Sequence, residues 1–119
     1  MTLLFVYGTL KRGGSNHRFL ADQQFVSVAQ TQPGYRLYNV GGYPGLVVAP
    51  DEFVGITGEV WRVAPACLER LDEFEGVGEG LYRRERVPLQ APLEFQSVDT
   101  YYYAREVMDH PIIGNAWPT

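Results

Sequence analysis

The chain has 119 residues, 45% of them hydrophobic and 13% aromatic, with a formal net charge of -4. That length fits a single domain over residues 1–119 and can bury a real core, which excludes disorder as the reading. The acidic balance and scattered cations lack the basic face that displaces counterions from phosphates, so nucleic acid is not an expected partner.

Cys67 is the only cysteine, which leaves no intrachain disulfide and no cysteine-based metal cage. His17 and His110 stand far apart without partnering ligands, so neither a metal nor any other cofactor is expected. No apolar run approaches a membrane span, and Met1-Thr2-Leu3-Leu4 lacks the basic opening of a signal peptide. The expectation is a soluble, cytoplasmic protein. Arg83, Arg84 and Arg86 form the one basic cluster, expected as a solvated rim.

In chain order, Leu3 to Tyr7 reads as a short, fully buried strand closed by a glycine. The loop Gly8 to Asn16 follows, and Asn16 could cap a short helix over His17 to Gln24 with Phe19 and Leu20 inward. Phe25 to Gln32 alternates as a strand ended by Pro33-Gly34, and Tyr35 to Val40 is another. Gly41-Gly42-Tyr43-Pro44-Gly45 forms a tight loop. Leu46 to Ala49 and Phe53 to Val63 read as strands around a Pro50-Asp51 turn. Pro65 opens a helix that runs to Phe74 and stops near Gly76, because the missing proline N–H has no helical partner at that position. Tyr82 to Leu89 and Phe95 to Tyr103 read as an antiparallel pair, and Arg105 to Thr119 as an irregular tail. The class is α+β: six or seven short strands with one or two helices, favouring a small closed or nearly closed mixed β-barrel over an open sandwich.

On the predicted helix, Leu68, Leu71 and Glu75 are spaced by three and four and share one face, flanked by Cys67 and Phe74. Glu69 and Glu73 fall toward solvent, and Asp72 lies between the two sides. Partial burial and the negative end of the helix dipole would both raise the pKa of Glu75, fitting it for general acid–base work. A frayed helix end pointing into water fits the same pattern.

Gly8-Thr9-Leu10-Lys11-Arg12-Gly13-Gly14-Ser15 superficially resembles a phosphate loop, but Gly14 stands where that motif needs lysine, which argues against nucleotide hydrolysis. A glycine turn leaving a buried strand can instead aim successive N–H groups at a carboxylate or developing oxyanion. A plain strand-to-loop turn is the other reading. Tyr82 and Tyr43 could reach the same pocket or simply pack. In the Tyr101-Tyr102-Tyr103 run, alternate rings must face opposite sides of the strand. Cys67 is expected to be an inert buried hydrophobe.

Val6-Tyr7-Gly8-Thr9-Leu10-Lys11-Arg12-Gly13, Gly42-Tyr43-Pro44-Gly45, and Leu71-Asp72-Glu73-Phe74-Glu75-Gly76 followed by Tyr82-Arg83-Arg84 closely resemble the γ-glutamylcyclotransferase-like (AIG2-like) proteins. The resemblance runs from about Leu3 to Tyr103, in the family's order, and is closest to the γ-glutamylamine cyclotransferase branch. It implies a small barrel with a cavity at its mouth and a metal-independent reaction, in which the α-amine of a γ-glutamyl group attacks its own γ-carbonyl to release 5-oxoproline and a free amine. It implies that Glu75 is the catalytic glutamate and that the Tyr7, Gly8, Thr9 and Leu10 backbone holds the γ-glutamyl moiety. Tyr82 matches a tyrosine beside the site, and Tyr43 lies in the matching loop. The leaving amine would meet the loops Gly41 to Gly45 and Gly76 to Leu81 and the tail. A non-catalytic module binding a small carboxylate ligand is the alternative, and a protein-interaction domain a third.

Overall fold

In the computed structural model, which describes residues 1–118, a mixed sheet forms the body of the fold. Its eight strands are β1 (Thr2–Val6), β2 (Gln24–Gln30), β3 (Tyr35–Asn39), β4 (Pro44–Val48), β5 (Thr57–Val63), β6 (Tyr82–Arg86), β7 (Val98–Tyr103) and β8 (Ile112–Ile113). Among the described residues they are joined by one α-helix, α1 (Pro65–Phe74), and one 3-10 turn, His17–Leu20. The hydrogen-bonded order is β2-β5-β1-β7-β4-β3-β8, with β6 on the remaining edge of β7. The class is α+β, as the sequence predicts.

From Leu3 to Val6, β1 is an unbroken apolar run, as suits a strand covered on both faces. Leu4 and Val6 pack with Trp61, Val63, Tyr101 and Tyr103 beneath Cys67 and Leu71 of α1. Phe5 and Tyr7 pack on the other face with Leu37, Leu46, Val60, Val98 and Tyr102. The three consecutive tyrosines thus alternate between the two cores, as a period of two requires.

A hydrogen-bonded barrel does not form. β1 and β4 both run parallel to β7 and share one of its edges, while β6 takes the other. β1 pairs with Val98, Asp99 and Thr100, and β4 joins only at Tyr102. The sheet therefore forks instead of running round. The far ends meet through an isolated bridge, Thr31–Leu89, with Gln32 N–H bonded to Pro88 O and Gln90 N–H to Gln30 O, each at 2.9 Å. The fork has a functional consequence: where β1 leaves β7 at its carboxyl end, a crevice opens before β4 arrives, much as crevices open at switch points of parallel sheets.

Several predicted boundaries shift. The helix expected over His17 to Gln24 is the short 3-10 turn alone, because Asn16 makes no side-chain cap and its Nδ2 instead donates to Thr9 Oγ1 at 3.0 Å. Phe53 to Ile56 is not strand, and Phe53 and Val54 are exposed. Gly55 lies so close to Thr31 that a Cβ would meet its carbonyl oxygen at 2.1 Å, and this corner turns the chain before β5 starts. Phe95 is likewise an exposed loop residue ahead of β7. The tail is irregular except at β8, whose Ile112 and Ile113 pair with β3; Thr119 lies outside the described residues. Arg84 is more than a solvated rim: it bonds Asp72 of α1 through Nε and Nη2 at 2.9 and 3.1 Å and Asp99 of β7 through Nη1 at 2.7 Å.

Candidate active site

Glu75 sits at the C-cap of α1, and its N–H bonds Leu71 O at 2.8 Å. Gly76 then adopts a left-handed conformation, φ +69°. Its N–H bonds Glu73 O at 3.1 Å, and the Val77 N–H bonds Asp72 O at 3.0 Å. Those two bonds make a Schellman motif, which satisfies helix-end carbonyls and fixes the exit of the chain. The frayed-end reading of Glu75 therefore fails. Gly76→Ala is expected to cost about 1–2 kcal/mol, since a side chain in this region is strained and its Cβ would press on Leu81 Cβ at 3.1 Å. A shift in the urea unfolding midpoint would measure it.

The half-buried Glu75 carboxyl faces a cavity of about 300 Å³ in the crevice beside the fork. Burial raises its pKa from 4.5 to about 7. Desolvation of the charged form is the cause. Asp72, one turn earlier, is in the opposite condition: burial would raise it, but Arg84 and Tyr101 donate to it and hold it below its ordinary value.

The turn after β1 lines the same cavity with Tyr7, Gly8, Thr9 and Leu10. Gly8 is required there by close approach, because a Cβ would stand 2.5 Å from Pro44 Cγ. The turn is tied by Lys11 N–H to Gly8 O and Asn16 N–H to Thr9 O, at 3.2 and 2.9 Å. Among the described residues, the N–H groups of Gly8, Thr9 and Leu10 make no hydrogen bond. Three free amides bordering a cavity suit an anion or a developing oxyanion.

Tyr43 stands part-exposed on the cavity's lining, and Tyr82 and Tyr101 form buried wall. The Tyr7 hydroxyl is committed to the sheet: it donates to Tyr101 O and accepts from Leu46 N–H, bracing the end of β1 against β7 and β4 at the fork. Phe74, expected beside the inner stripe of α1, is 42% exposed, yet it borders the cavity and packs on Phe19 with ring centroids 4.5 Å apart. Cys67 is buried, and desolvation raises its thiol.

Glu59 is the residue sequence reasoning missed. It is buried on β5, and its Oε1 accepts from Arg12 N–H at 3.0 Å and Trp61 Nε1 at 3.1 Å, while Oε2 accepts from Arg12 Nε at 3.0 Å. Burial would raise its pKa, but the Arg12 and Trp61 bonds hold it low. Glu59 thus fastens the far end of the turn to the sheet. The available signal was a carboxylate on the same side of the strand as Trp61 and Val63. Glu59→Ala leaves the Arg12 and Trp61 donors unpaired, and is expected to cost about 1–3 kcal/mol and to raise KM more than it lowers kcat, as steady-state kinetics would show.

The structure thus brings Glu75, the Tyr7–Leu10 turn, Tyr43 and Tyr82 to one cavity, and adds Tyr101 and Asn16 to its lining. Over residues 4–118 the sequence matches the family described as gamma-glutamyl cyclotransferase, AIG2-like. A Vibrio cholerae protein provisionally named a γ-glutamylcyclotransferase is 42% identical over 85 residues, covering 71% of this chain and 70% of that one. The human gamma-glutamylaminecyclotransferase is 39% identical over 97 residues, covering 76% of this chain and 63% of the human one. The crystal structure of an AIG2-like protein from Mus musculus superimposes with a TM-score of 0.80 at 29% identity, covering 97% of this chain and 87% of that one. With this fold, a cavity lined by the turn and Glu75, and a family match over nearly its whole length, the chain belongs to the γ-glutamyl cyclotransferase, AIG2-like family, which supports a cyclotransferase acting on a small γ-glutamyl substrate.

Proposed function

We propose that the protein is a γ-glutamylamine cyclotransferase in which Glu75 is the general acid and base. The observation that carries this reading is a desolvated carboxyl, with a pKa of about 7, sharing a cavity with three free backbone N–H groups. The human relative's name adds the amine as leaving group.

The proposed steps follow from proton bookkeeping. A γ-glutamyl substrate arrives with its α-nitrogen as an ammonium, which is no nucleophile. The Glu75 carboxylate removes a proton, and the amine attacks the γ-carbonyl carbon of the same molecule. The oxyanion so formed is stabilised by the N–H groups of Gly8, Thr9 and Leu10. The carbon–nitrogen bond to the leaving amine then breaks. The lactam nitrogen of 5-oxoproline keeps one of the ammonium's three hydrogens; the other two pass through Glu75 to the leaving nitrogen, which departs as an ammonium. A pKa near the working pH lets one group serve both directions. Because nucleophile and electrophile belong to one molecule, a further part of the rate comes from holding a folded conformer.

The test is a panel of γ-glutamylamines and γ-glutamyl amino acids assayed for 5-oxoproline. Release from at least one amine supports the reading. Tight binding of panel members without any 5-oxoproline would replace it with a non-catalytic binding module.

A further inference from the structure

Three phenols lie close to Glu75. Burial is the leading cause that raises the pKa of Tyr7, Tyr82 and Tyr101, and the Glu75 charge is among the further causes at each. A carboxylate among three hydroxyls would ordinarily collect their hydrogens. Here each hydrogen goes elsewhere, to a partner that can only accept. Tyr7 donates to Tyr101 O. Tyr82 donates to Pro44 O at 2.7 Å. Tyr101 donates to Asp72 Oδ1 at 2.7 Å, and Arg84 keeps Asp72 ionised and so unable to donate in return.

The consequence lies in what remains free. A phenol whose hydrogen is committed offers only oxygen lone pairs. Tyr7 has also used its oxygen on Leu46 N–H, whereas Tyr82 and Tyr101 accept nothing among the described residues and both line the cavity. With Glu75, the residues that line the cavity there include three groups with acceptor capacity to spare. None of the Lys, Arg or His residues lines it. Such a wall leaves an anion or an aliphatic group unsatisfied and matches a group that only donates, with three N–H bonds to give.

We infer that Tyr82, Tyr101 and Glu75 form a seat for a primary ammonium, with Asp72 and Arg84 as positioning residues that turn the Tyr101 oxygen toward it. In the reaction proposed above the occupant is the α-ammonium of the γ-glutamyl group, and only that identification rests on the proposed reaction. The seat places the nitrogen against the carboxylate that deprotonates it, and the two phenol oxygens hold its other hydrogens. It also excludes substrates acylated at that nitrogen, which offer one donor and added bulk.

The experiment uses two ligands without a scissile amide that differ only in the ammonium: L-2-amino-6-phenylhexanoate and 6-phenylhexanoate. Calorimetric titration of the intact protein should show preference for the first. Tyr82→Phe and Tyr101→Phe should each reduce that preference about tenfold, the worth of a hydrogen bond to a charged group, while binding of 6-phenylhexanoate is unchanged. A variant damaged in folding weakens both ligands alike, which the ratio and a melting curve reveal. The inference is overturned if the wild type shows no ammonium preference, or if the preference survives in both variants. The reaction is judged separately. Release of 5-oxoproline with an intact preference in both variants sinks the seat and leaves the reaction; loss of preference without any 5-oxoproline sinks the reaction and leaves the seat.

Discussion

Glu75→Gln is expected to lower kcat for 5-oxoproline release by about 10²- to 10⁴-fold, the usual worth of one positioned acid–base group. Glutamine matches the volume and keeps an acceptor, but it can neither take nor return a proton. The wild-type kcat/KM should rise with pH through about 7, where Glu75 ionises in the free protein, and the residual rate of the variant should lack that limb. A variant that keeps both rate and limb would remove Glu75 from the chemistry.

The same substitution has a consequence for stability. The folded carboxyl titrates near 7 and the unfolded one near 4.5, so the native state holds its proton more tightly. Stability from this group is complete below about pH 4.5 and is lost as pH climbs to about 7. The loss is at most about 3 to 4 kcal/mol, at roughly 1.4 kcal/mol for each unit of pKa difference. Glu75→Gln should remove that decline and leave the protein more stable than wild type at pH 8, as urea titrations at several pH values would show. A more stable but inactive variant is the signature of a residue kept for chemistry rather than folding.

Gly8→Ala is expected to reduce kcat/KM by about 100-fold, the penalty a displacement near 1 Å can exact on a positioned reaction. The new Cβ would meet Pro44 Cγ at 2.5 Å, and the proline ring cannot swing aside as a flexible side-chain end would. Either the turn shifts, misplacing the three free amides, or Pro44 moves and takes with it the carbonyl that holds Tyr82. Overpacking of this kind also costs about 1–3 kcal/mol. Gly78→Ala is the control, since a Cβ there has open space and the residue does not line the cavity. Equal effects of the two substitutions would show that the Gly8 contact carries no special weight.

Much of this was legible in the chain because it is local. The run Leu3 to Tyr7 needs only its own hydrophobicity to read as a strand covered on both faces. Pro65 and Gly76 mark the two ends of α1 by what proline lacks and what glycine permits, and the three-four spacing from Leu68 places Glu75 on the helix's inner side. The errors fall where a distant partner decides. Asn16 has the chemistry of a helix cap, but Thr9 competes for its side chain. Arg84 looks like one of three solvated cations until α1 brings Asp72 against it. Glu59 looks like an isolated strand carboxylate until Arg12 returns to it.

The sequence by itself thus determined seven of the eight strands, the helix, the turn after β1 and the carboxylate on the inner face of α1, because periodicity and glycine or proline chemistry act within a few residues. Only the tertiary structure decided that β1 and β4 share an edge of β7, so that a crevice opens at Tyr7 and receives Glu75 from α1. It also decided which way each tyrosine hydroxyl points, since the acceptors are Tyr101 O, Pro44 O and Asp72, remote in the chain from the phenols they bind. Hydrogen-bond direction depends on which acceptor folding brings within reach, and no local pattern encodes that.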